Sequence, residues 1–173
     1  MRSHPKPLLV VLALSILVLG AAPPQAGPKP EMTDMEKQRQ TVADIRNVGT
    51  AMFSWLTDQV GASAAGAQEQ EKEKEKLVGL KPYHVISTKE LKKLLVPQYI
   101  GQIPETDGWG NPYEFRLNVK DVLGQYVMAI RSPGRDGSYS ASKYSVHGFD
   151  PENYDEDIVW ADGYFVRWPQ RQN

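Results

Sequence analysis

The stretch Ile103–Asn118, IPETDGWGNPYEFRLN, carries the reading of the fold. Ile103 to Pro112 gathers Pro, Asp, Gly and Asn, the strong turn formers, around one large aromatic, Trp109. From Tyr113 to Asn118 apolar and polar side chains alternate, as they do in a strand with one buried face. Trp109 and Tyr113, with the tight Gly-Asn-Pro turn between them, are expected in the sheet core. Helical patterns lie before this turn and strand patterns after it, which predicts an α+β domain.

Upstream, Ser87 and Glu90 have capping-box spacing and open a short helix through Leu91, Leu94 and Leu95. Pro97 ends it. Further upstream Thr33 and Glu36 repeat the box, with Asp34 adding negative charge to the first turn. Val42, Ile45, Val48, Met52 and Leu56 then recur in steps of three and four, which predicts an amphipathic helix over 34–59. Ala43, Gly49, Phe53 and Trp55 widen that stripe to what packing on a sheet requires, rather than a partner-binding face. Residues 61–76, GASAAGAQEQEKEKEK, are low in complexity. Their Glu–Lys alternation puts like charges at i,i+4, so the segment reads as a solvated charged loop.

Downstream, Gln125 to Arg131 is a second β-type run, and Tyr164 to Trp168 a third that stops at Pro169. Residues 170–173 form a tail. Pro133 to Asp162 shows little periodicity but holds Asp136, Asp150, Glu152, Asp155, Glu156, Asp157 and Asp162. Tyr139, Tyr144, Phe149, Tyr154 and Trp160 are interspersed, and disordered acidic segments are poor in aromatics. An ordered acidic loop is expected.

The whole chain has 173 residues, no cysteine, and 20 Lys+Arg against 21 Asp+Glu. That balance is not the basic one of a nucleic-acid binder, so no nucleic-acid partner is expected. The missing cysteines exclude disulfides, zinc–thiolate and iron–sulfur sites, and a lipoprotein anchor. At the N-terminus Arg2 and Lys6 precede an apolar run from Leu8 to Leu19, and Gly20-Ala21-Ala22 supply small residues before Pro23 and Pro24. Residues 1–26 therefore read as a signal peptide, and the alternative is an uncleaved inner-membrane anchor at 8–22. Either way the domain is exported, to the periplasm or beyond, with membrane contact only through this segment. A linker at 27–32 and a domain at 33–169 follow. Cleavage leaves 147 residues of net charge −3 that fold without a disulfide, a size at which exported domains often rely on a staple or a metal.

The acidic loop is the one constellation with chemistry in it. Hard cations such as calcium take six to eight oxygens from carboxylates, carbonyls and water. Asp136 stands in a Gly-Arg-Asp-Gly turn directly after a strand. Asp155 and Asp157 would share a face of one extended segment. By spacing alone, solvated surface acids explain these residues equally well. An EF-hand is excluded, because the required glycine six positions into the loop from Asp155 is Trp160. Paired carboxylates with Tyr154, Trp160 and Trp168 would suit a glycosidase, but a domain this small leaves little room for its cleft. His84 and His147 read as loop histidines, and there is neither a G-x-S-x-G elbow nor a Walker loop. No enzyme is expected.

In order and spacing, three motifs resemble the periplasmic domain of the type II secretion major pseudopilin, the protein G family. Asp107-Gly108-Trp109-Gly110-Asn111-Pro112-Tyr113 is similar to the family's D-P-W-G-N-P-Y. Ser132-Pro133-Gly134-Arg135-Asp136-Gly137 is similar to its S-L-G-A-D-G, and Asp155-Glu156-Asp157-Ile158 to its D-A-D-I. The resemblance spans about residues 34–160 and implies a pilin-like fold, a long N-terminal helix packed on a small antiparallel sheet. It also implies a structural calcium in the C-terminal loop. The side-chain ligands would be Asp136, Asp155 and Asp157, with backbone oxygens from Pro133 and near Ser138. Partners would be other pseudopilins or secretion-system envelope components.

The N-terminus departs from that family. A pseudopilin has a basic leader, a Gly-Phe processing site and an apolar helix with Glu at its fifth position. Here the apolar run holds no acid, and Pro23, Pro24, Gly27, Pro28 and Pro30 separate it from the domain helix. The domain is expected without the device that stacks filament subunits in the membrane. A reading of another class is a free periplasmic module that reuses the fold and contacts carbohydrate or protein through its aromatic loop.

Overall fold

A computed structural model describes residues 31–61 and 77–171. The expected signal segment 1–26, the linker up to Pro30, nearly all of the expected low-complexity loop and the last two residues of the tail lie outside the described residues. Among the described residues no helix is long and apolar enough to cross a membrane.

Helix α1, Asp34–Val60, begins and ends where its chemistry directs. Both halves of the Thr33–Glu36 capping box form, and Gly61, with φ +78°, closes the C-terminus by donating its N–H to Thr57 O. Its buried positions include Gln38, Thr41, Ile45, Val48, Gly49, Met52, Trp55 and Leu56, most of the expected stripe continued one turn back, while Val42 and Phe53 are half-buried and Ala43 is exposed. Helix α2, Thr88–Leu95, carries the second capping box at Ser87 and Glu90 and buries Leu91 and Leu95.

Among the described residues eight strands follow the pattern only in part. They are β1 Leu77–Gly79, β2 Val85–Ile86, β3 Glu114–Leu117, β4 Met128–Ser132, β5 Lys143–Ser145, β6 His147–Phe149, β7 Ile158–Ala161 and β8 Tyr164–Pro169. Six form a sheet in the order β2-β3-β4-β7-β8-β6, and β1 pairs with β5 in a separate two-stranded ribbon. The domain is α+β, but its main sheet is mixed rather than antiparallel, because β6 runs parallel to β8.

Alternation sorts the side chains onto two faces. Phe115, Leu117, Met128, Ile130, Ile158 and Trp160 point toward α1 and α2 and share one core with Ile45, Met52, Leu56 and Leu91. Ala129, Val159, Ala161 and Val166 point the other way and pack with Val78, Leu80 and Tyr144 of the β1–β5 side. The sheet is thus covered on both faces. Helix and sheet approach closely at Gly49, where an added Cβ would lie 2.9 Å from the Trp160 ring.

Two expectations are corrected here. The stretch between Pro133 and Asp162 is not a loop throughout: it supplies β5, β6 and β7. β7, Ile-Val-Trp-Ala, is buried at all its positions, so no alternation marks it. Trp109, expected in the sheet core beside Tyr113, instead lies at the start of α1, where its indole N–H donates to Asp34 Oδ1. Tyr113 does join the core.

Candidate functional site

The three motifs converge beside the first turns of α1. Asp107, 4% exposed, organises the Trp-Gly-Asn-Pro turn. Its Oδ1 accepts from the backbone N–H of Trp109 (3.0 Å) and of Asn111 (2.9 Å), which makes an Asx-type turn. Gly110 adopts φ +93° there, a conformation that suits glycine. Gly108 sits against α1: its N–H donates to Thr41 Oγ1, and a Cβ would fall 2.3 Å from Lys37 O.

The second motif is tied to the first. Ser132 Oγ donates to Asp107 Oδ2 at 2.7 Å, and Asn111 Nδ2 donates to Gly134 O at 2.7 Å. Gly134, at φ +74°, lies so close to the third motif that a Cβ would stand 2.7 Å from Glu156 O and 2.8 Å from Tyr154 O. The Arg135 N–H donates to Tyr154 O at 2.8 Å. The turn after β4 and the segment before β7 are therefore adjacent.

The carboxylates behave differently within that frame. Asp136 Oδ1 accepts the Ser138 N–H at 2.9 Å, a local turn contact. Asp155 lies in a turn rather than on an extended strand, so it does not share a face with Asp157 as expected. Both Asp155 oxygens face Arg135, with Nε to Oδ1 at 2.8 Å and Nη2 to Oδ2 at 3.0 Å. The remaining guanidinium arm reaches Asp34 Oδ2 at 3.2 Å. Arg135 thereby holds the Asp155 carboxyl below its ordinary range. The Trp109 indole, and then Arg135, do the same for Asp34.

Asp157 is fully buried. Its Oδ2 accepts from Ser140 N (2.9 Å) and Ser140 Oγ (2.8 Å), and the Tyr144 hydroxyl lies 2.8 Å away. Its Oδ1 is buried with no hydrogen-bond partner. Burial raises its pKa against the opposing pull of these donors. A buried carboxylate oxygen without a donor is costly, and a cation is one of the few partners that relieves it. The donor set fits a hard cation in chemistry: carboxylates of Asp157 and Asp136, with the Pro133 carbonyl and the backbone of Ser138 on the same turn. It does not yet converge, since no three acidic or imidazole groups among the described residues gather closely enough to hold a metal.

Sequence reading missed Arg135, Asp34, Ser140 and Tyr144 as members of this cluster. Tyr144 is brought in by β5, Ser140 by the segment before it and Asp34 by the start of α1, while Arg135 stands in the turn itself. The aromatic loop is also not a free surface, since Tyr144, Phe149 and Trp160 are buried in the two cores. Comparison with protein-family models, curated proteins and solved structures finds no significant match to this chain.

Proposed function

We propose that the chain is an exported, non-enzymatic structural and interaction domain of the pseudopilin G type, stabilised by calcium and associated with type II secretion. What supports this most is the Asp107–Ser132–Gly134–Asn111 hydrogen-bond chain. It joins the first two motifs, and the Arg135 N–H bond to Tyr154 O ties them to the segment that leads into the third, where Asp157 carries a buried oxygen without a partner. Such a scaffold orders backbone and carboxylates, the role of a structural ion site, and its partners would be other pseudopilins or envelope components. The pilin-like assignment and the ion are parts of this proposal.

The test is a thermal melt with calcium and with chelator. Excess calcium is expected to raise the melting temperature by mass action, about 2–3 kcal/mol at a hundredfold excess over Kd. Asp157→Asn is expected to abolish the shift. It is also expected to leave the calcium-free protein at least as stable near neutral pH, because it removes a buried charge. No shift in the parent protein would overturn the calcium reading. Mass spectrometry of the mature N-terminus tests export, with a cut near residues 22–26 expected.

A second reading, the free binding module, is favoured by one observation: a groove of about 720 Å³ lined by Met35, Arg39, Asp150, Tyr154 and Arg171. Glycan binding lost in Arg39→Ala would move the assignment there.

A further inference from the structure

We propose that the groove between the start of α1 and the segments that follow β6 and β8 binds an extended peptide carrying both an acidic and a basic side chain. The inference concerns the occupant of this groove and holds whether or not the acidic loop takes up calcium.

Met35, Gln38 and Arg39 are spaced three and four apart, so they stand on one face of α1 and form one wall. Glu152 and Tyr154, after β6, and Arg171, after β8, help to line the rest of a groove of about 720 Å³, a size suited to a small ligand. Gln38 is the residue that points to an occupant. It is 5% exposed and belongs to the buried stripe of α1, where packing favours an apolar side chain. Thr41, the next polar residue of that stripe, is satisfied: its hydroxyl donates to Lys37 O and accepts the Gly108 N–H. The Gln38 amide makes no hydrogen bond among the described residues. A buried amide without partners is destabilising, and this one borders the groove. Its oxygen and its NH₂ group match the N–H and C=O of a peptide unit.

Charge narrows the ligand class. Arg39 is exposed, and among the described residues it has only the attraction of Glu36 on its own helix. The Arg171 and Glu152 side chains are exposed and enter no ion pair among the described residues. A neutral sugar would leave these charges unanswered, and an anionic one would be repelled by Glu152. Tyr154 is also a poor platform for stacking a sugar. Its ring packs on Trp109 at 6.4 Å between centroids and lies 5.7 Å from the Arg135 guanidinium carbon. Met35, 48% exposed, is an adaptable thioether that suits an apolar side chain. A peptide with an acid, a base and an apolar residue answers every one of these groups.

The experiment offers a phage-displayed random heptapeptide library to the purified full chain, then titrates the enriched peptide by fluorescence anisotropy. Enriched sequences are expected to share an acid and a base around an apolar residue. Gln38→Leu is expected to weaken binding roughly three- to tenfold, the scale of one hydrogen bond. Its melting temperature is expected to be unchanged or higher, because a buried unpartnered amide is removed. A merely structural Gln38 would give a lower melting temperature and an unchanged affinity. Arg39→Glu is expected to lose the peptide and to regain it when the peptide's acid is replaced by lysine. Should Gln38→Leu not fold, this exchange at an exposed position carries the test. No enriched sequence, a consensus of one charge sign, or unchanged affinity in either variant overturns the inference. Oligosaccharides bound in place of peptides, with binding lost in Arg39→Ala, overturn it in favour of the glycan reading.

Discussion

Gly108 shows how little freedom a single position in the Trp-Gly-Asn-Pro turn has. Its backbone N–H is used by Thr41, and the space where a side chain would stand is filled by the Lys37 carbonyl of α1, 2.3 Å from an ideal Cβ. Nothing flexible can move out of the way, because the obstacle is helical backbone. Gly108→Ala is therefore expected to destabilise the domain by about 1–3 kcal/mol, the usual cost of overpacking, read as a lowered melting temperature. Gly110→Ala is the informative contrast. Its Cβ would meet nothing within 4 Å, so only the φ of +93° penalises it, and its loss is expected to be the smaller.

At the scale of elements, the contact that fixes α1 on the sheet is the meeting of Gly49 with the Trp160 ring. An ideal Cβ at Gly49 lies 2.9 Å from Trp160 Cζ2. Gly49→Val is expected to push the indole off its seat, at about 1–3 kcal/mol, with a changed near-ultraviolet circular dichroism signal as the direct readout. Which elements were legible follows from the same packing. Both helices carried their start signals in local chemistry, Thr33 with Glu36 and Ser87 with Glu90, and the structure forms both boxes. β3 alternates because its Glu114 and Arg116 side chains face away from the helices, so its pattern showed. β7 is covered on both faces and shows only an apolar run, while β5 and β6 are three residues each, too short for a period to emerge. One signal was present and passed over: Asp162-Gly163, at φ +43° and +100°, is the two-residue turn that joins β7 to β8. In the candidate site the local acids could be read. Their partners could not, because Arg135 meets Asp34 across 101 positions of sequence.

For the whole molecule, the question is what holds together a domain that has no cysteine and so no disulfide. Besides two apolar cores, the fold uses charged pairs set between elements, and the most enclosed of these is Glu114 on β3. Its Oε1 accepts from Arg116 Nε at 2.6 Å and from Arg131 Nε at 2.8 Å, and its Oε2 accepts from Arg131 Nη2 at 3.0 Å. Arg131 in turn carries the Tyr139 ring 3.6 Å from its guanidinium carbon, and it reaches the Ala141 carbonyl, so β3, β4 and the start of the acidic loop are tied through one carboxylate. Burial pushes the Glu114 pKa upward, but the hydrogen bonds from Arg131 and Arg116 more than reverse this, and the folded value is depressed. A depressed carboxyl stabilises the fold above its ordinary pKa of 4.5, and that contribution is lost as pH falls through the lower folded value. Asp157 works in the opposite sense, since its folded pKa is raised and its cost appears as pH rises through that value. Glu114→Gln is therefore expected to lower stability by about 2 kcal/mol at neutral pH, the scale of hydrogen bonds to a charged group. The difference between variant and parent should shrink progressively as acid is added below pH 4.5. Melting curves of both proteins from pH 7 to pH 3 check this, and a gap that stays constant across that range would remove Glu114 as the acid-sensitive tie.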